Sequence, residues 1–303
     1  MTIYSPKWRS KMSRPIKDLL DILKALRLHA FAEHVQTVCE KGETDKVPCV
    51  EIIYQLAELE LDLRHQKSIS SLLKQSRIPR DKHLIDFKVT RIPGLSTSLL
   101  QRLSCGDFID QAENIIIMGN PGTGKTHLAI ALAREWCLRG RKILFTTAVS
   151  LLQKLLTAKQ ELLLNEFIKK MNKYEAIIID DISYLIYSRQ ETDVLFHLLA
   201  ERYEQRSVII TSNLVFSKWE QIFKDKMTTA AAIDRLVHHS TIMELNAKSY
   251  RIDQAQKSKK NEKEKSKVKS SGSRKKVEQK KKEVTKSKAK NNQTGGKKKK
   301  KVT

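Results

Sequence analysis

The sequence predicts an α/β fold with a parallel sheet, preceded by a small all-α domain and followed by a disordered lysine-rich tail. Three observations carry this prediction. Short β-branched and apolar runs, typical of buried strands, alternate with helical patterns over the central part of the chain. Before them, apolar residues recur only at helical spacing. After them comes a stretch that is almost entirely polar.

The charge is concentrated in that last stretch. The chain of 303 residues has a net charge of +24, and residues 257–303 hold 21 Lys+Arg against 4 Asp+Glu and no aromatic, Leu or Ile residue. Such a segment cannot bury enough apolar surface to offset its ordering entropy, so we expect residues 253–303 to be disordered. Any DNA contact there would be to phosphates and insensitive to sequence. A solubilising extension and, for residues 297–301, a nuclear-targeting signal are the alternatives.

Cysteine usage and hydropathy limit the compartment. The four cysteines lack metal-ligand spacing, so reduced thiols are the default expectation. No signal peptide is evident, and no apolar stretch approaches the roughly 18 residues of a membrane span. We therefore expect a cytoplasmic protein with no membrane partner.

The first part of the chain is predicted to be helical. Residues 1–15 form a flexible basic arm, 16–78 a helical domain and 79–98 a linker. Within the domain, one helical pattern runs from Ile16 to Phe31 and another follows Pro48, with a turn at residues 42–45. Its end is rich in basic residues, either a solvated face or a surface for DNA or a partner: Arg64, His65, Lys67, Lys74, Arg77, Arg80, Lys82 and Lys88.

A phosphate-binding loop is predicted at the start of the α/β domain, residues 99–252. The motif follows the strand pattern 114–118 and opens a helix, which is the context that confirms it: Gly119, Asn120, Pro121, Gly122, Thr123, Gly124, Lys125 and Thr126. Its glycines let backbone N–H groups converge on one point beside the helix dipole. Lys125 would reach the β- and γ-phosphates and Thr126 would hold Mg²⁺. A glycine-rich turn that binds nothing is the alternative.

Two carboxylates end another predicted strand, residues 174–181. A second strand, 142–147, and a helix that starts at Leu151 after a Ser150 cap precede it. Asp180 would lie beside Thr126 and hold Mg²⁺ through water, and Asp181 would orient or deprotonate the attacking water. Alternatively, the two aspartates merely cap the next helix, predicted over residues 191–205.

Two further polar residues follow. Asn213 ends the apolar strand 207–213 at the edge where ligands bind, so its amide could contact the γ-phosphate or the water, or simply turn the chain. Arg235 lies close to the end of a helix over residues 229–237, before the strand 241–245. It either compensates the helix dipole or is offered to a neighbouring subunit's nucleotide.

Together these segments closely resemble the IstB-like ATP-binding proteins, the ATPase helpers encoded beside an insertion-sequence transposase. These proteins are relatives of the DnaC and DnaA replication proteins in the AAA+ superfamily. The resemblance covers about residues 19–251. It rests on the phosphate loop with the residues after it, on residues 179–185, 193–198 and 209–214, and on Ala232-Ile233-Asp234-Arg235-Leu236-Val237-His238-His239.

The resemblance implies a three-layer AAA+ domain with a further strand between those that carry the two nucleotide motifs. It implies ATP and Mg²⁺ as cofactors, with His127 among the nucleotide-binding residues. Asn213 matches the family's first sensor and Arg235 its arginine finger, which acts in trans. The implied assembly is a homo-oligomer with ATP at subunit interfaces, often wound on double-stranded DNA.

Three departures bear on these implications. Asp181 stands where many relatives have glutamate, which is one methylene longer, so water activation is expected to be slower or to need a closed interface. Ser183 stands where glycine is common. Too little foldable sequence follows Leu245 for the helical lid of many AAA+ proteins, and Arg251 is a candidate for a second phosphate contact.

The leading hypothesis is a Mg²⁺-dependent, DNA-stimulated ATPase that helps a cognate transposase and regulates its target selection or activity. The alternative is a DnaC-like helicase loader, an adaptor whose ATPase times helicase release in replication. A small-molecule kinase fits poorly, because no acceptor pocket or lid arginines are evident.

Overall fold

A computed structural model describes residues 16–183, 186–221, 223, 226–253 and 256. The prediction of a flexible arm at residues 1–15 lies outside these residues. Of the predicted disordered tail, residues 253–303, the structure describes only Asp253 and Gln256, and both are helical. The described chain falls into two compact units, one formed by residues 16–119 with 125–245 and the other by 120–124 with the residues after 245.

Five parallel strands form the sheet of the larger unit. They are β1 (Asn114–Met118), β2 (Ile143–Thr147), β3 (Ala176–Asp180), β4 (Ser207–Ser212) and β5 (Ser240–Glu244). Their order is β2-β3-β4-β1-β5, and all described pairings are parallel. The sheet therefore places β4 between β1 and β3, which carry the two predicted nucleotide motifs, and the predicted α/β fold with a parallel sheet is confirmed.

Ten α-helices lie in the described residues. They are α1 (Ile16–Ala25), α2 (His29–Thr44), α3 (Cys49–Gln75), α4 (Thr97–Cys105), α5 (Asp107–Asp110), α6 (Lys125–Leu138), α7 (Ala148–Gln160), α8 (Leu164–Met171), α9 (Arg189–Arg202) and α10 (Lys226–His238). In this part of the chain no helix is both long enough and apolar enough to cross a membrane.

The amino-terminal helices differ in detail from the pattern. The helix predicted over residues 16–31 breaks at Arg27, whose φ of 58° is left-handed. The turn predicted at residues 42–45 comes later, because α2 continues to Thr44. Gly42 is helical, and a Cβ there would lie 2.5 Å from Ile52 Cδ1, so glycine lets α2 and α3 pack closely.

Buried Glu60 on α3 fixes the start of α2. Its Oε2 accepts hydrogen bonds from the backbone N–H of Ala30 at 2.8 Å and of Phe31 at 3.4 Å, and its Oε1 pairs with Arg64 at 2.9 Å. Burial opposes ionisation, but these bonds outweigh it and lower the pKa of Glu60. A carboxylate from another helix thus satisfies backbone donors that α2 itself leaves open.

The sheet core is apolar because parallel strands are covered on both faces. Every residue of β1 and β3 is buried. The edge strand β2 receives one bond from outside the sheet, since Phe145 N–H donates to the carbonyl of Ser76, just after α3, at 2.8 Å. The helix predicted from Leu151 starts at Ala148 instead, and Thr147 rather than Ser150 is its cap.

Candidate active site

The chain leaves β1 through a glycine that no other residue can replace without strain. Gly119 has a φ of 147°, and a Cβ there would lie 2.5 Å from the carbonyl oxygen of Leu245. Lys125 is buried, with 7% of the residue exposed, and its ammonium donates a hydrogen bond to the Gly119 carbonyl at 2.7 Å. The lysine of the motif is therefore held beside the end of β1, where its charge is available to a phosphate.

The smaller unit pairs the centre of the phosphate loop with the residues that follow β5. Tyr250 N–H donates to the Gly122 carbonyl at 2.8 Å. Gly122 has a φ of 80°, and a Cβ there would meet Ser249 Oγ at 2.2 Å. Within the loop, Thr123 Oγ1 donates to the Asn120 carbonyl at 2.9 Å. The sequence did not predict this contact with residues 249–250. Arg251, the candidate for a second phosphate contact, is exposed.

The predicted metal ligands lie together. Thr126 Oγ1, in the first turn of α6, donates to Asp180 Oδ1 at 2.8 Å. The same carboxylate oxygen accepts a bond of 2.6 Å from Thr211 Oγ1 on β4, the strand between β1 and β3. A hydroxyl and a carboxylate side by side are oxygen ligands of the kind that Mg²⁺ prefers, so these residues fit the metal.

The second aspartate is turned out of the strand and held by Asn213. Asp181 has a φ of 58°, unusual for a residue other than glycine. Its Oδ1 accepts a bond of 2.6 Å from Asn213 Nδ2, and Asn213 N–H donates to Ser183 Oγ at 2.7 Å. The structure thus brings Asp181 and Asn213 together at the carboxyl edge of the sheet.

A buried tyrosine supports the turn after Asp181. The Tyr187 hydroxyl donates to the carbonyl of Ile182. Burial, together with the charges of Asp181 and Glu191, raises the pKa of Tyr187, so the phenol keeps its proton for this bond.

His127, predicted to contact the nucleotide, lies against the segment after α3. Its Nε2 is 3.2 Å from the His83 carbonyl, and its ring centroid is 5.7 Å from that of Phe87. Residues 83–87 therefore border the start of α6, next to Thr126.

Arg235 lies away from the other predicted site residues of the chain. It is exposed in the last turn of α10, and the carbonyl of the next residue, Leu236, accepts a bond of 3.3 Å from Asn114 Nδ2 at the amino end of β1. Because β1 spans Asn114–Met118, at about 3.3 Å per residue, the two ends of the strand are about 13 Å apart. The structure does not bring Arg235 to the other predicted site residues of this chain.

Sequence reasoning missed two residues of this site. Thr211 is the first of three small polar residues, Thr211-Ser212-Asn213, that end the predicted strand, and Ser183 stands where the family resemblance implies glycine. Both contribute hydroxyls to the network around the aspartates. The polar run was the available signal, but nothing local says that Thr211 faces Asp180.

Comparisons with known proteins agree on one family. The model of the IstB-like ATP binding protein family matches residues 21–258. The chain is 35% identical over 236 residues to an ATP-binding protein of insertion sequence IS21 from Pseudomonas aeruginosa, which covers 78% of this chain and 89% of that protein. It is 37% identical over 231 residues to an insertion sequence ATP-binding protein from Sinorhizobium fredii, covering 76% and 78%.

Among solved structures, the chain is similar to AMPPCP-bound DnaA from Aquifex aeolicus, with 20% identity, a TM-score of 0.47 and coverage of 56% of this chain and 51% of that one. The family match and the sequence relatives each extend over about three quarters of the chain or more. The chain belongs to the family of IstB-like ATP binding proteins.

Proposed function

We propose that this protein is a Mg²⁺-dependent ATPase that binds double-stranded DNA, assembles as a homo-oligomer and regulates target selection or activity of a cognate transposase in the cytoplasm. The observation that carries the ATPase part is the hydrogen-bonded set of Thr126, Asp180, Asp181 and Asn213. Family membership supplies the link to insertion sequences.

Each residue of the site has a separate role in ATP hydrolysis. Lys125 and the backbone N–H groups of residues 119–126 hold the triphosphate, and Thr126 and Asp180 hold the metal. Bound Mg²⁺ would neutralise charge on the phosphate oxygens. Asp181 orients the attacking water and accepts its proton. Asn213 holds one oxygen of Asp181 in place, and its amide nitrogen carries a second N–H that can donate to the γ-phosphate or the water.

The basic end of the helical segment supports binding to DNA phosphates. The side chains of Arg77, Arg80 and Lys88 are exposed, as are those of Arg64, His65, Lys67 and Lys74. Arg64 also pairs with Glu60, and Lys82, which is half-buried, pairs with Asp81 at 3.0 Å. Most of this positive surface therefore remains available to an anionic partner, and such contacts would be insensitive to sequence.

The test of the ATPase is hydrolysis by the full chain with and without Mg²⁺ and duplex DNA. We expect activity that needs Mg²⁺, rises with DNA and falls about 10²-fold or more in Lys125→Ala, because a donor that stabilises transition-state charge is removed. Lys154→Ala, which removes an exposed lysine of α7, is the matched control and should keep wild-type activity. Wild-type rates in Lys125→Ala would refute the proposed site.

The tail has a separate prediction. Deletion after Gln256 should weaken duplex binding and reduce the slope of log K against log salt by about 0.9 for each DNA phosphate that the tail neutralises. Fluorescence anisotropy at several salt concentrations measures the slope, with ATP hydrolysis in the absence of DNA as the folding control. An unchanged slope would show that the tail does not bind DNA phosphates.

The transposase partner is tested by binding. The full chain should bind the transposase encoded beside it and should not bind a replicative helicase. Binding of a hexameric helicase through residues 1–90, without binding of the transposase, would overturn the proposed partner in favour of a helicase loader.

A further inference from the structure

Thr211 is hydrogen-bonded to both aspartates of the site, Asp180 and Asp181. Its side chain on β4 is 1% exposed. The hydroxyl donates to Asp180 Oδ1 at 2.6 Å and accepts from the backbone N–H of Asp181 at 2.8 Å. Because a hydroxyl has a single proton, the bond to Asp180 uses it and the bond from Asp181 is received on a lone pair. The orientation of this hydroxyl is therefore fixed from both sides.

The backbone of Thr211 holds the same segment. Its carbonyl accepts a bond of 3.0 Å from Ile182 N–H. Side chain and backbone together thus bind three consecutive residues, Asp180 to Ile182, at the point where Asp181 takes its left-handed φ of 58°. Such a conformation persists only where the surroundings determine it.

Packing alone does not require this hydroxyl. Valine has nearly the same shape as threonine and is equally suited to a buried strand. The neighbouring Ser212 is a useful contrast, since its buried hydroxyl donates to the Leu214 carbonyl at 2.7 Å and accepts from the Leu214 N–H at 3.0 Å. The Ser212 hydroxyl stabilises a turn with Leu214, two residues later. The Thr211 hydroxyl instead binds Asp180 and Asp181, about 30 positions away in the chain.

We propose that Thr211 is a positioning residue for the reaction with Mg²⁺ and ATP. Its single hydroxyl holds the Asp180 carboxylate toward Thr126, and it also holds the turn at Asp181 toward the attacking water. This inference rests on the proposed ATPase function. Asp180 Oδ1 accepts hydrogen bonds from two hydroxyls, that of Thr126 on α6 and that of Thr211 on β4. Removal of the Thr211 hydroxyl frees the carboxylate to rotate and takes from the half-buried Asp181 N–H its acceptor on β4.

The experiment compares full-length Thr211→Val with Thr211→Ser and with Thr192→Val. Thr192 is the matched control, because it is also a buried threonine, 2% exposed, whose hydroxyl donates to the Ser188 carbonyl at 3.0 Å on α9, outside the site. Binding of Mn²⁺ in the presence of a non-hydrolysable ATP analogue is followed by electron paramagnetic resonance. Binding of ATP in EDTA and the Mg²⁺ dependence of hydrolysis are measured in parallel.

In Thr211→Val, Mn²⁺ affinity and kcat should each fall about 10- to 100-fold, the range for residues that orient metal ligands. Binding of ATP in EDTA should change less than about threefold, because the phosphate loop is untouched. Thr211→Ser keeps the hydroxyl and should stay within about threefold of wild type in all three measurements, as should Thr192→Val.

Three results would overturn the inference: unchanged Mn²⁺ affinity and kcat in Thr211→Val, an equal loss of ATP binding in EDTA, or a Thr211→Ser variant as defective as Thr211→Val. A wild-type chain that neither binds Mn²⁺ with nucleotide nor hydrolyses ATP would instead refute the proposed function. If Thr211→Val does not fold, Thr211→Cys takes its place, because its thiol is a weak donor and should lower Mn²⁺ affinity relative to Thr211→Ser.

Discussion

The two edges of the parallel sheet bury polar networks of opposite kinds. At the carboxyl edge, the anion Asp180 is surrounded by the hydroxyls of Thr126 and Thr211. At the amino edge, the cation Arg202 is 1% exposed and has no described carboxylate partner. Its guanidinium donates to Asn172 Oδ1 and to the carbonyls of Met171, Tyr174, Glu175 and Ser207 at 3.0–3.4 Å.

The hydrogen-bond partners of Arg202 and of Asp180 show why one network is structural and the other can bind a ligand. Burial without an opposite charge, with Arg206 nearby, lowers the pKa of Arg202 to about 9, so it stays charged at neutral pH. Its acceptors are mostly backbone carbonyls whose positions the fold fixes, so this network ties chain segments together. The hydroxyl of Thr126 can turn to a metal while still donating to Asp180, so the carboxyl edge can accept a ligand.

Arg235 gives the largest expected effect, because it lies at the amino edge, whereas its match to the family's arginine finger implies catalysis in trans. In Arg235→Ala, kcat should fall about 10³-fold or more, since an arginine finger supplies about 10³ to 10⁵ in rate, or roughly 4–7 kcal/mol. A cation that only compensates a helix dipole contributes about 0.3–1 kcal/mol. Steady-state hydrolysis on DNA measures the difference.

The control for this variant is Arg206→Ala, which removes another exposed arginine of the amino edge. It should keep the wild-type kcat. A drop of less than about tenfold in Arg235→Ala would assign Arg235 to the helix dipole and leave the amino edge without a catalytic role.

Arg202→Met tests the structural network and should be the next largest effect. The free energy of unfolding should fall by about 3–5 kcal/mol, because several buried carbonyls lose their donor. The kcat of the folded fraction should not change, since the site lies at the other edge. Urea unfolding measures the first quantity, and a loss below about 1 kcal/mol would contradict the assigned role of Arg202.

Ser183→Gly is the smallest change at the carboxyl edge. It removes the acceptor of the Asn213 N–H. The loss of one hydrogen bond, about 0.5–1.5 kcal/mol, should lower kcat about two- to tenfold while the Mg²⁺ dependence stays the same. An increase in kcat would mean that the Ser183 hydroxyl restrains Asn213 rather than supports it.

The fold was largely predictable because its signals are local. The apolar run 114–118, the glycines after it and the helix formers from Thr126 onward are contiguous, so strand, loop and helix follow from sequence alone. The aspartates at 180–181 could be placed because the carboxyl ends of parallel strands meet at one edge.

What the sequence did not reveal depends on contacts between distant residues. The pattern around Thr211 is that of any strand ending in polar residues, and only the strand order places its hydroxyl between Asp180 and Asp181. Arg202 looks like an ordinary cation in the last turn of an amphipathic helix. The bond from Tyr250 to Gly122 joins segments far apart in the chain, one of which carries no strong pattern.

A mixing experiment tests the proposed homo-oligomer most directly, because Arg235 at the amino edge of one subunit would complete the carboxyl-edge site of another. Lys125→Ala and Arg235→Ala are each expected to be inactive alone. In a one-to-one mixture assembled on DNA, about a quarter of the interfaces would combine an intact loop with an intact arginine, so about a quarter of the wild-type rate should return. A mixture no more active than its separate components, with cross-linking confirming mixed assemblies, would contradict the account.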